Sequence, residues 1–418
     1  MNLFQVLSIL IVFSALFGYL NVRYLKLPVT IGLMIVSILF SVAVLIIGQF
    51  TPTLLEWERE LIGQVDFHKI LMDGMLSFLL FAGALHVDFG RLKEHRWPII
   101  LFATLGVLIS TFLIGGLVYA VLGWVGIQID FIYALLFGAL ISPTDPIAVL
   151  GILKKAGAPK NLEIKIVGER LFNDGIGVIV FVTIYQIAQS GAGHQDLSHI
   201  GLLFLEEVGG GVLLGLGLGA AAYYLMRTID QYEVEVMITL AAVMGGYLLA
   251  SSLHFSGPLA MVVAGLMVGH ERFRTSSMSE VTETYVDKFW ELMDVLFNAI
   301  LFVIIGLEIL VLPLERQYFI AGLLAIPVAL LARYLALAGP IELFKKRLEF
   351  VPKTNLIMTW GGLRGGISIA LALSLAEHMS RTPLLTITYV VVIFSIIVQG
   401  LTVGELVKRT QLAKPGGK

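Results

Sequence analysis

Cysteine is absent from all 418 residues. That excludes a disulfide framework, a thiolate-bound metal and a cysteine nucleophile. Charge is scarce as well: Asp, Glu, Lys and Arg make up 14% of the chain, where a soluble domain carries about 25%. The two signs nearly cancel, leaving a net charge of −2, so global charge says nothing about partners. Long hydrophilic segments are missing too. The largest polar stretches, near residues 49–68 and 270–288, are too short for a separate soluble domain. The first apolar run, Leu3 to Leu20, has no basic segment before it and no small-residue cleavage site after it. It reads as a retained span rather than a signal peptide.

What the chain has is apolar length. Hydrophobic residues make up 58% of it, and runs of about 20 apolar residues, each enough to cross a bilayer, recur from end to end. The reading is an all-α polytopic membrane protein in one integral unit, residues 1–418. Thirteen spans are expected near residues 3–21, 27–48, 69–87, 98–124, 131–153, 163–189, 200–226, 234–253, 256–270, 287–312, 317–339, 354–377 and 384–407. The eighth and ninth are barely separated, by "LHFSGPL". With the N-terminus outside, the inward loops and the tail at 408–418 hold 21 Lys and Arg residues, and the outward loops hold only Arg59, Lys69, Arg316 and Arg381. Such a bias places the C-terminus in the cytoplasm. The remaining basic residues, Arg170, Arg333 and Arg364, fall inside spans. Each costs at least about 2.5–3.5 kcal/mol at membrane depth and needs a reason to be there.

Two spans are interrupted. The fifth carries "SPTDP" and the twelfth "WGGLRGGIS". Proline removes a backbone donor, and paired glycines loosen a helix. The backbone groups so freed are tolerated at mid-depth only inside protein or along a watery cavity. These spans are seven apart and so run in opposite directions. Two inverted halves follow, about residues 1–190 and 234–407, joined by the span at 200–226. Interrupted helices in matching positions of inverted halves point to a transporter's binding site. Simple kinks are the plainer alternative, although each break here also carries a charge. On the transporter reading, half-helix carbonyls and Asp145 face a small cation.

Beside the first break lies "GERLFNDG". At 100° per residue, Glu169 and Asn173 share a helix face, while Asp174 points about 140° from Glu169. One carboxylate suits pairing with an arginine, and the other is left to titrate. Burial raises the pKa of an unpaired carboxylate towards neutrality. A cation competing for the same oxygens would then exchange with the proton. A structural ion pair is the alternative role for Asp174.

Together "SPTDPIAVL", "GERLFNDG", "LFVIIGLE" and "GGLRGGISIALAL" resemble the NhaP branch of the monovalent cation:proton antiporter family, related to the animal sodium/proton exchangers. The resemblance covers essentially the whole chain. It implies thirteen spans, a six-helix core with crossed discontinuous helices, and a separate dimerisation region. It makes Asp174 the carboxylate that binds cation and proton, with Asn173, Thr144 and Asp145 beside it. Of these, Asp174, Asp145 and Thr144 would be the ligands of the transported metal ion. Glu169 and Arg364 would form a buried ion pair, costing about 3–5 kcal/mol to break.

Relatives with Asn-Asp are typically electroneutral, so one Na+ or Li+ is expected to exchange for one H+. A K+/H+ antiporter of the same fold is the runner-up. Many relatives have serine where Arg170 stands, four residues before Asp174 and on its face. Arg170 either neutralises Asp174 or snorkels towards the cytoplasmic surface. Glu308 is a second modulator, either a packing carboxylate or an influence on cation entry.

Arg333 has no evident partner in the sequence, and neither Asp73 nor Asp88 can be aligned to the site. Glu206 and Glu207 are placed at the start of the seventh span. The run "GGGVLLGLGLGAAA" there suits close packing, with a dimer interface one use of it. His270 and Glu271 sit at the cytoplasmic mouth, as solvated loop residues or as pH sensors. An intramembrane aspartyl protease needs a paired carboxylate motif, and a passive channel needs rings of charge or carbonyls. Neither pattern is present, so no enzyme is expected. The partners implied are Na+, Li+ or K+, protons, the lipid bilayer and a second copy of the chain, with no cofactor and no nucleic acid.

Overall fold

The computed structural model describes residues 3–48, 75–86, 96–144, 160–190, 197–307, 315–344 and 353–412, and these are helical with no strand among them. In chain order the helices are α1 (Leu3–Leu20), α2 (Val29–Gly48), α3 (Leu76–Leu85), α4 (Arg96–Val125), α5 (Phe131–Ile141), α6 (Lys160–Ser190), α7 (Leu197–Met226) and α8 (Tyr232–Ser252). There follow α9 (Gly257–Val268), the short α10 (Glu271–Ser277), α11 (Glu280–Leu307), α12 (Arg316–Phe344), α13 (Thr354–Gly361), α14 (Gly366–Leu373), α15 (Arg381–Phe394) and α16 (Gly400–Leu412). Among the described residues, eight helices are long and apolar enough to cross a membrane, nine if α13 and α14 count as one span bent by 50°. Shorter apolar helices at α3, α5 and α9 fill other expected positions. The protein is an integral membrane protein.

Local chemistry explains the ends. Asn21 is buried and closes the α1–α2 connection, donating from Nδ2 to the Leu27 carbonyl and accepting at Oδ1 from the Leu27 N–H. The closely spaced eighth and ninth spans are two helices. His254 turns the chain at φ 58°, Ser256 caps α9 by accepting from the Leu259 N–H at 3.3 Å, and Pro258 sits in the first turn. A Ser cap and an early Pro are ordinary helix-start chemistry.

The helices pack in two groups. In one, α4, α5, α6, α12, α13, α14, α15 and α16 surround the two breaks; in the other, α1, α2, α3, α7, α8, α9 and α11 pack together. The glycine-rich run of α7 belongs to the second group's interior. Cβ atoms on Gly211, Gly215 and Gly219 would run into Ser256, Ala260, Val263 and Met267, so the bare backbone of α7 lies directly on α9. That close contact is within the chain, while Gly209 and Gly217 of the same run face open space. The α7 helix begins at Leu197, but its apolar span runs from Leu205 to Met226, so Glu206 and Glu207 do stand at the start of the span. The Glu207 carbonyl accepts from the Ser256 N–H at 3.1 Å and so helps fix the α8–α9 corner.

Polar contacts close the far ends of the second group. Glu235, fully buried, accepts from Thr282 Oγ1 at 3.2 Å, and Trp290 Nε1 donates to Thr239 Oγ1 at 3.0 Å, joining α8 to α11. From α10, Arg274 donates to both oxygens of Asp287, to Glu283 and to the Leu85 carbonyl. Burial opposes its charge, but the hydrogen bonds to Asp287 and Glu283 outweigh burial and hold the guanidinium above its usual pKa. One arginine thus ties α10 to α11 and to the end of α3.

Candidate functional site

The "SPTDP" segment ends a helix as its residues dictate. α5 stops at Ile141, and Ser142 turns its hydroxyl back to the Gly138 carbonyl at 2.7 Å while accepting from Thr111 of α4 at 3.2 Å. Pro143 has no N–H to continue the ladder. Residues 142–144 leave the helix, and Ser142 and Thr144 are buried. Pro143 lodges against α6 where Gly177 lacks a side chain, so that α6 runs close beside the break.

The second break is the four-residue gap between α13 and α14, residues 362–365. Arg364 lies in it, 3% exposed. Its Nη1 donates to the Ser142 carbonyl at 3.0 Å and to the Pro143 carbonyl at 3.2 Å. These carbonyls form the negative end of the α5 half-helix, and a guanidinium answers them. Of the carbonyls freed at this break, those of Ser142 and Pro143 each accept a hydrogen bond from Arg364.

Thr144 comes next in the chain, and its Oγ1 accepts from Asn173 Nδ2 of α6 at 3.1 Å. Asn173 is fully buried, and its Oδ1 has no hydrogen-bond partner among the described residues. The fifth, sixth and twelfth spans thus meet at one point, as the motifs require: Thr144 and Asn173 in contact, Arg364 on the preceding two carbonyls. Glu169, Arg170 and Asp174 lie on α6, but their side chains fall outside the described residues. Asp145 and Glu308 fall outside them altogether, as do Asp73 and Asp88.

One residue near the site was not legible as such. Arg333 of α12 is 2% exposed. A methyl group placed on Gly362 would lie 3.2 Å from Arg333 Nε and 3.1 Å from Thr144 Cγ2. Gly362 therefore stands between the arginine and the threonine, and its missing side chain lets both approach the break. The available signal was the arginine itself, a charge in an apolar span. Of the other acids, Asp294 accepts from Asn298 Nδ2 at 3.0 Å, and Glu377 is exposed.

The profile of one family, described as the transmembrane sodium/hydrogen exchanger, matches residues 11–409. The chain belongs to the sodium/hydrogen exchanger family. This exchanger-family chain is 50% identical over 411 residues to the Na+/H+ antiporter NhaP of Pseudomonas aeruginosa, covering 97% of this chain and 96% of that protein. It is 34% identical over 394 residues to the Na+/H+ antiporter NhaH of Halobacillus dabanensis, with 93% of each covered. Among solved structures, the sodium proton antiporter MjNhaP1 of Methanocaldococcus jannaschii superposes with a TM-score of 0.75 over 100% of both chains at 21% identity. At that identity the likeness establishes a shared fold.

Proposed function

We propose that the chain is a secondary active antiporter exchanging Na+ for H+ one-for-one, with no net charge moved, by competition of the two ions for Asp174. The observation that carries this reading is the Oδ1 of Asn173, without a partner among the described residues, buried beside two interrupted helices and next in sequence to Asp174. An unmet buried acceptor costs about 1–3 kcal/mol. A hard monovalent cation, which prefers oxygen ligands, would meet it when bound. Thr144 Oγ1 offers a second oxygen, and Asp145 and Asp174 are assigned as the carboxylate ligands. The names of the full-length relatives support Na+ as the cargo.

The stoichiometry follows from the charge inventory. Asn173 cannot titrate and Asp145 is assigned to keep its charge through the cycle, so Asp174 alone carries either one proton or one cation at a time. Glu169 is assigned as the partner of Arg364, a pair that holds α6 to the break without entering the exchange. The residues of the site face one side of the bilayer and then the other, and the cell membrane is the proposed location, with the N-terminus outside, the C-terminus cytoplasmic and two chains in a dimer.

The test uses purified protein in liposomes with an internal pH dye and an inward-acidic gradient. Adding Na+, Li+ or K+ outside should alkalinise the lumen for Na+ or Li+, equally with the voltage clamped, and should do nothing in Asp174→Asn. Exchange driven by K+ alone would replace the cation assignment, and an undiminished response in Asp174→Asn would move the site elsewhere.

A further inference from the structure

A helix broken at membrane depth leaves backbone groups without partners, and each has to be met by protein. At the break between α13 and α14 the Leu363 N–H turns back to the Gly361 carbonyl at 3.0 Å, and two further groups are met from one place, the turn joining α15 to α16. The Arg364 N–H donates to Ser395 Oγ at 2.8 Å, and Gln399 Nε2 donates to the Trp360 carbonyl at 2.9 Å. One turn further along, Thr402 Oγ1 accepts from the Trp360 indole at 2.8 Å. Ser395 and Gln399 are 1% and 3% exposed. They are the first and last residues of a single π turn, Ser395–Gln399. Single π turns inside α-helices are frequent at functional sites.

Polar residues in an apolar helix usually turn back to their own carbonyls. Thr388, on the same span, does so, donating to the Leu384 carbonyl at 2.7 Å. Ser395 and Gln399 instead reach across to a different span and grip both ends of its gap. From there the contacts run inward. The backbone of Arg364 is fixed by Ser395; its guanidinium holds the carbonyls of Ser142 and Pro143; the next residue, Thr144, accepts from Asn173.

We infer that Ser395 and Gln399 are positioning residues of the cation site, setting the geometry of the α13–α14 break and, through Arg364, the placement of Thr144 against Asn173. The inference rests on the exchange function proposed above. Neither residue touches the ion. Their removal lets the break relax, which displaces Arg364 from the end of α5 and weakens the site's hold on Na+.

The experiment measures Na+-driven proton movement in liposomes over a range of Na+ and pH. It compares wild type with Ser395→Ala, Ser395→Thr, Gln399→Met and, as a control, Thr388→Val, which loses a buried hydroxyl on the same span away from the break. Folded protein is counted by size-exclusion chromatography. Ser395→Ala and Gln399→Met should each raise the apparent KM for Na+ about tenfold, the usual scale for orphaning a buried group, and displace the pH profile. Their kcat per folded molecule should stay within about threefold. Ser395→Thr, which keeps the hydroxyl, should restore the wild-type KM, and Thr388→Val should match wild type. A merely structural role would lower the folded fraction and leave KM alone. An unchanged KM and pH profile in the folded variants, or an equal KM shift in Thr388→Val, overturns the inference while leaving the exchange function standing. If Ser395→Ala does not fold, Gln399→Met decides alone. A wild type that moves no protons with any cation refutes the function and the inference together.

Discussion

Asn173 binds Thr144 through one end of its amide and leaves the other end without a partner among the described residues. A side chain conserving folding alone would not be built this way, since an apolar residue of the same shape avoids an orphaned acceptor. Asn173→Leu is therefore expected to leave thermal stability unchanged or slightly raised, while the KM for Na+ rises at least about tenfold. A melting curve and a transport assay on one preparation check both halves; a large loss of stability with normal transport would contradict it. At Gly177 the constraint is steric. A methyl group there meets the Pro143 ring, so Gly177→Ala should destabilise by about 1–3 kcal/mol, the scale of overpacking, and reduce transport by moving the break. At this scale the sequence was most readable where a residue is chemically out of place. Thr144, Asn173 and Arg364 stand out in apolar runs for that reason, and the structure brings all three to one point. Ser395 and Gln399 did not stand out, because "SIIVQG" reads as an ordinary span and their partners are backbone groups more than thirty residues away.

Elements were legible where a breaker marks them and blurred where charge extends them. The twelfth span was expected to break at its glycines and bends by 50° there. The fifth was expected to break at its prolines, and α5 ends at Ile141. By contrast α11 starts at Glu280, seven residues before the expected 287, because its first two turns carry Glu280, Glu283 and Asp287 and are invisible to an apolar count. Tertiary partners explain those acids: Arg274 holds both Glu283 and Asp287. Arg274→Ala would leave Glu283 without its guanidinium and Asp287 with only the His86 ring, 3.9 Å away, and would remove the α10 contact to the end of α3. The expected loss is about 1–3 kcal/mol, below that of a fully buried pair because Asp287 and Glu283 are partly solvated, measured as a lowered melting temperature that added salt makes smaller. For the α9 cap, Ser256→Ala should cost about 1 kcal/mol with KM unchanged, since the cap lies away from the break.

For the whole molecule, orientation can be tested directly because the chain has no cysteine of its own. A single cysteine at Thr228, between α7 and α8, should react with an impermeant maleimide only from the cytoplasmic side. One at Gln317, at the start of α12, should react only from outside, and the reverse pattern would invert the assigned topology. The family resemblance implied a six-helix core apart from a second region, but which helices join which group was not legible from the runs and their order; it depends on which faces meet. Where the groups meet, Gly175, Gly366 and Gly400 on one side stand against Leu259, Leu301 and Ile31 on the other. Bare backbone faces aliphatic side chain at each point, whereas the hydrogen bonds described above stay within one group or the other. Dispersion contacts of this kind are individually weak and have no preferred direction, so sliding one surface along the other unfastens nothing. Friction at such a seam comes from shape alone. Turnover should accordingly depend only shallowly on temperature, and roughening the seam with a single methyl at Gly366 should steepen that dependence and slow the cycle.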